Sequence, residues 1–169
     1  MKNNIIYFLI LSLLFINSRL VAQELEINSL KIEYDNINKI TVFEGNVSAK
    51  DINGNELISE YAEYNKLKEI IETKGETKII TSSGYEVFSS NVIFNNKKNV
   101  IFSNNKTKII DLDGNNISVQ MFNYSTSNNI FFSKGSINVK DINNNEYNFS
   151  EIYIDEKKKK FLFSDFKAF

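Results

Sequence analysis

The chain has 169 residues, with 20 lysines and arginines against 21 aspartates and glutamates, for a net charge of −1. That length holds one domain with a real core, and that balance supplies no global field toward nucleic acid or an anionic surface. With no Cys, His or Pro, disulfides and thiolate metal sites are excluded, the commonest general base is missing, and no proline interrupts strand ladders.

The first element is a targeting segment. Lys2 precedes an apolar run from Ile5 to Ile16, and Ser18 to Ala22 ends in a small residue. The run has signal-peptide length and is short for a membrane span, so residues 1–22 are expected to be a signal peptide cleaved near Ala22. Leu20 is bulky for that site, and an uncleaved anchor is the alternative. Residues 23–169 then form the exported domain.

From there the chain repeats every 30 residues: Tyr34, Tyr64, Phe94, Tyr124 and Ile154 share one column, and Gly45, Gly75, Asn105 and Gly135 another. Gly54, Gly84, Gly114 and Asn144 make a third, and Asp51, Thr81, Asp111 and Asp141 a fourth. Such a period marks stacked copies of one supersecondary unit.

Within the first unit Ile32 and Tyr34 alternate with Lys31 and Glu33, the period of a strand. A polar turn (35–39) follows, then Ile40 and Val42, then Val47 and Ala49 after an odd step of five residues. An odd step exchanges faces, so a bulge or corner is expected at Gly45, with a like slip between Ile27 and Ile32. The second turn, Asp51-Ile-Asn-Gly54-Asn55, is rich in residues that bond their own backbone or tolerate positive φ. Two turns per unit leave strands of about ten residues, roughly 33 Å if straight. Each unit thus reads as a hairpin bent over a corner, and the units stack as an all-β antiparallel jelly roll of two facing sheets around an open groove. A parallel β-helix is the runner-up.

The apolar columns predict the groove lining. Inward residues are expected to be Ile32, Tyr34, Ile40, Val42, Tyr64, Ile79, Val92, Phe94 and Val100, followed by Phe102, Ile109, Phe122, Tyr124, Ile130, Phe132, Ile137 and Val139. Glu72 breaks the Val42 column, so either Ile71 substitutes for it or the register shifts there. An ordinary closed core is the competing reading of the same face.

Other motifs carry less chemistry. The loops at Asp51 and Asp111 resemble the start of a calcium loop, but glycine falls at the fourth place instead of the sixth and no Glu closes them. Hairpin turn chemistry accounts for them better. The basic run Lys157 to Lys160 reads as a solvated hairpin tip, or as a contact to anionic headgroups. No catalytic residue, metal or other cofactor is expected.

Three stretches carry a family resemblance: Ile32-Glu-Tyr34-Asp35, Glu44-Gly45-Asn46-Val47 and Asp51-Ile-Asn-Gly54-Asn55. They recur as Ala62-Glu-Tyr64-Asn65 with Lys74-Gly75, and as Phe122-Asn-Tyr124 with Lys134-Gly135-Ser136-Ile137. In this order and period they resemble the OstA-like family of lipopolysaccharide transport proteins over about residues 25–169. The resemblance implies a non-enzymatic carrier in the Gram-negative periplasm, whose jelly roll shields lipopolysaccharide acyl chains on the way to the outer membrane. It also implies edge-strand pairing with other jelly rolls of the transport bridge, or end-to-end self-association. At ~0.8 kcal/mol per buried CH₂, one acyl chain needs on the order of 10 kcal/mol of shielding. An apolar stripe supplies that without a catalytic group. The stretch from Asn145 to Phe149 and the end, Ser164 to Phe169, look like the close of the periplasmic domain of the family's translocon, LptD, while a free-standing bridge like LptA fits as well. The rival reading is a structural or adhesive scaffold with a dry core.

Overall fold

Why do these residues make strands that bend? The answer lies in the turns and in the glycine column. In the computed structural model residues 25–165 are described, together with the backbone of 167 and 168. The expected signal peptide lies outside the described residues. All secondary structure among them is strand: β1 (Glu26–Asn28), β2 (Lys31–Asp35), β3 (Ile40–Lys50), β4 (Glu56–Asn65), β5 (Ile70–Thr73), β6 (Glu76–Ile80), β7 (Glu86–Ser90) and β8 (Ile93–Asn95). There follow β9 (Val100–Ser103), β10 (Thr107–Ile110), β11 (Asn116–Val119), β12 (Phe122–Ser125), β13 (Ile130–Lys140), β14 (Glu146–Asp155), β15 (Lys160–Ser164) and β16 (Lys167–Ala168).

Every pairing is antiparallel, and the ladders trace two sheets. Sheet A runs β2, β3, β4, β5, β8, β9, β12, β13, β14, β15. Sheet B runs β1, β3, β4, β6, β7, β10, β11, β13, β14, β16. The long strands β3, β4, β13 and β14 belong to both, so the two sheets are one ladder folded over. Between them the middle strands break at the fold. One core cluster spans both inner faces, from Val47 and Ala49 to Ile152 and Ile154. This is the all-β antiparallel jelly roll expected from the repeat.

The corner stands where the glycine column predicts it. The β3–β4 register shifts between Glu44 and Val47, and that of β13–β14 between Lys134 and Ile137. Gly45 and Asn46 both adopt positive φ, 77° and 48°. Two such residues in succession bend a strand sharply, and glycine carries the larger φ at no steric cost. A Cβ on Gly45 would also stand 3.0 Å from the Leu30 side chain.

At the sheet A tips a second period appears: Lys39, Glu69, Asn99, Asn129 and Lys159 all hold φ between 51° and 56°. Asn tolerates this left-handed state better than a long side chain does. Glu69→Asn is therefore expected to stabilise the fold by about 0.5 kcal/mol, read as a raised urea midpoint at unchanged slope.

Candidate lipid-facing interior

The expected lining residues divide by face. Ile79, Val92, Phe94, Ile109, Phe122, Tyr124 and Ile137 are buried in the core, and Tyr64 and Val139 pack against it half-buried. Ile32 and Tyr34 pair with Phe43 and Thr41 at the sheet A edge, and are 59% and 54% exposed.

The remaining six, Ile40, Val42, Val100, Phe102, Ile130 and Phe132, correct the sequence reading: they lie on the outer face of sheet A. Their neighbours Phe43, Ile71, Ile101, Phe131 and Ser133 are the buried ones. The reason is the turn. Asp35 pairs with Ile40 and Tyr34 with Thr41, so four residues close the hairpin and Thr41, not Ile40, shares a face with Tyr34. A turn one residue longer would have given the other parity. Glu72 thereby ceases to be an exception, since Ile71 is the inward residue and Glu72 faces out. The outer face carries its own cross-strand row: Ile93, Phe102, Asn123, Phe132, Tyr153 and Leu162 are paired in that order.

Hydroxyl groups line the corner, where the ladders part. Val92 N–H donates to Thr73 Oγ1 at 2.9 Å, and Thr73 and Thr77 share a hydrogen bond of 2.7 Å. Ser89 and Thr107 bond at 2.8 Å, Ser103 donates to the Ser90 carbonyl at 2.8 Å and Ser133 to that of Met121 at 2.7 Å. Buried backbone groups freed by the bend need such partners. Thr77 and Thr107 stand in the 30-residue column of Val47 and Ile137, and hydroxyl residues recurring at 73, 103 and 133 mark the same seam in the sequence.

The turn tips of the two sheets form two lips over the far side of the interior. On the sheet B lip Asp51 accepts from the Asn55 backbone and side-chain amides, both at 2.8 Å, and Asp111 treats Asn115 the same way. Asp141 repeats it with Asn145 at 2.9 and 2.8 Å. Their carboxylates thus act as turn caps, the chemistry preferred over a calcium loop.

A polar clasp joins the lips. Glu156 is only 8% exposed and accepts hydrogen bonds from the Ser83 hydroxyl and, at 3.0 Å, from Tyr124. Asn129 Nδ2 donates to Ser82 Oγ at 3.0 Å. Burial holds the Glu156 carboxyl above its ordinary value, against the pull of these donors. Burial first, and then the charge of Glu156, raises the Tyr124 hydroxyl and pushes Tyr85 up to about 12.

A carboxyl that is harder to ionise when folded binds protons more tightly in the native state. Its stabilising share is present below the unfolded value and is lost as pH rises through the folded one. Glu156→Gln keeps an acceptor without the charge. The variant is expected to match wild type at about pH 4 and to exceed it at about pH 7.5, a gap measured by urea midpoints at both.

The groove is therefore not open along its whole side. Phe94, Phe122 and Tyr124 fill its middle and the clasp spans the mouth. The interior opens at its C-terminal end, into a cavity of about 510 Å³ lined by Asn115, Val139, Asp141, Tyr147, Phe149 and Phe163. The Phe149 and Phe163 rings stack there at 4.2 Å, and Phe163 is 45% exposed. A larger hollow of about 640 Å³, with Glu60, Glu76, Lys78 and Lys106 on its walls, lies on the corner side; those charged walls suit water better than a hydrocarbon chain.

No protein-family model and no curated protein matches the chain. Among solved structures it is similar to LptH from Pseudomonas aeruginosa, the LptA-homologous periplasmic component of the lipopolysaccharide transport device, with 12% identity over 83% of this chain and 81% of that one and a TM-score of 0.33.

Proposed function

We propose that this chain is a non-enzymatic carrier that shields the acyl chains of lipopolysaccharide in the space between the inner and outer membranes, with residues 23–169 as the working domain. The observation that carries this reading is the C-terminal mouth: Val139, Tyr147, Phe149 and Phe163 continue the apolar interior to the outside. Ile32 and Tyr34 extend it in the same way at the other end. A binding surface for alkyl chains needs apolar area and little geometric specificity.

Among the described residues the ladders end on strand edges, β1 and β2 at one end and β15 and β16 at the other. Such edges accept a further strand, so pairing with another jelly roll of a transport bridge, or with a second copy end to end, would join one interior to the next. A free-standing bridge and the periplasmic part of a translocon would both fit that arrangement.

The filled middle favours the rival reading, a scaffold with a dry core. Photo-crosslinking decides between them. A benzophenone side chain at Phe163 or Phe94 is expected to capture lipopolysaccharide, and one at Phe102 or Phe132 on the outer face is not. Equal capture from both faces, or none from the inner one, would falsify the carrier reading.

A further inference from the structure

The lysines of this chain divide between the strands and the sheet A lip. On or beside the strands most are mated to acids, Lys31 to Glu33 and Glu44, Lys74 to Glu63, Lys78 to Glu86, Lys134 to Glu151 and Lys140 to Glu146, while Lys50, Lys108 and Lys160 form no ion pair among the described residues. Those on the sheet A lip mostly are not. The five turns of that lip (35–39, 65–69, 95–99, 125–129 and 155–159) hold eight lysines against four carboxylates. The four turns of the opposite lip (51–55, 81–85, 111–115 and 141–145) hold no lysine and four aspartates.

Three of the four acids of the basic lip do little to neutralise it. Asp35 caps its own turn through the Ile37 and Asn38 amides, at 2.8 and 3.0 Å. Asp155 caps the Lys158 amide at 3.0 Å and pairs with its ammonium at 3.1 Å. Glu156 is buried in the clasp. Lys66, Lys68, Lys97, Lys98 and Lys159 form no ion pair among the described residues, and Lys66, Lys68, Lys97 and Lys98 stand exposed. Successive tips are tied by backbone hydrogen bonds, Asn96 to Glu69, Thr126 to Asn99 and Glu156 to Asn129. The charges are therefore held as one row along the sheet A lip, where Lys68 and Lys98 also border hollows on the outer face.

We propose that this row is a binding site for the phosphate-bearing head of an amphiphile whose chains enter the interior. The inference rests on the carrier reading and adds to it the side on which the head sits. An ammonium row takes phosphate as point charges, without the geometric demands of a bidentate site. The opposite lip, with carboxylates and no cation, repels the same head. The head would thus lie on the sheet A lip, with the chains directed into the interior beneath it.

The test uses the chain from residue 23 and two fluorescent probes with the same short acyl chains, a phosphatidic acid and a neutral diacylglycerol. One variant carries Gln at Lys66, Lys68, Lys97 and Lys98. A second, with the same loss of charge, carries Gln at Lys106, by the corner, and at Lys108, Lys134 and Lys140 on the strands. The lip variant is expected to lose about tenfold or more in affinity for the phosphatidic acid, with diacylglycerol binding unchanged and the second variant equal to wild type. Raising the salt should erase the wild-type advantage.

Equal losses in the two variants, or none in the lip variant, overturn the head site while leaving the carrier reading intact. Failure of wild type to bind either probe overturns both. Full competition by inorganic phosphate, with no gain from acyl chains, also overturns the amphiphile site and marks the lip as a free-anion surface.

Discussion

Replacing Phe122 by alanine is expected to cost about 3–5 kcal/mol, the largest single-residue effect on stability in this fold. Phe122 is 1% exposed and its ring stacks on Phe131 with centroids 6.0 Å apart and planes 10° from parallel. It pairs with Ser103 in the ladder, next to the corner, where the neighbouring side chains are small hydroxyls that cannot move in to fill a void. For a domain of this size the loss corresponds to a melting temperature lower by roughly 10 °C, measured by circular dichroism at the β-sheet minimum. A drop of only 2 °C would mean that the interior collapses freely, and that its middle is softer than its burial indicates. Phe122→Leu, which keeps most of the volume, should recover more than half of the loss.

Phe163→Asp should have the largest effect on lipid capture. Its ring covers Phe149 at the C-terminal mouth, yet it is half exposed at a sheet edge. Aspartate there costs little stability, because the carboxylate can turn to solvent. It does remove the aromatic floor on which an alkyl chain would rest. Burying such a side chain against a ligand is worth about 1.5–3 kcal/mol, a ten- to hundredfold change in affinity. Titration of a fluorescent fatty acyl probe into wild type and variant measures it, with the melting curve of each as the control for folding. Equal affinities would place alkyl binding elsewhere, and the outer row from Ile93 to Leu162 would be the next surface to test.

The two effects separate two properties of one interior. Its middle is a core in the ordinary sense, filled by the chain's own aromatics. Its ends are apolar surface exposed among the described residues, at Ile32 and Tyr34 on one side and at Phe161 and Phe163 on the other. Transport through such a body requires either that chains enter at the ends or that the clasp at Glu156 lets go. Its few hydrogen bonds between lips, against the continuous ladders within each sheet, make it the weaker joint.

Most of the architecture was legible in the order of the residues. The 30-residue columns named the repeat, the alternation named the strands, and the Asp-x-Asn-Gly-Asn turns named the hairpins. The glycine column at 45, 75 and 135 marked the corner through its positive φ, because no other residue adopts φ near 80° without strain.

What the order of residues left open was parity. Both Ile40 and Thr41 begin columns that are apolar further along, Ile70 and Val100 in one, Ile71 and Ile101 in the other. Pattern alone does not choose between them, because a period of two looks the same from either face. The four-residue turn closing on a left-handed Lys39 decided it, and with it which aromatics are core and which are surface. The closing of the mouth was also decided only in three dimensions. Ser83 and Glu156 are 73 residues apart, and no local signal links them. Sequence thus determined the repeat, the two sheets and the apolar stripe, all of which follow from local geometry. Tertiary structure decided the facing of the stripe and where it opens, because both depend on how distant turns meet.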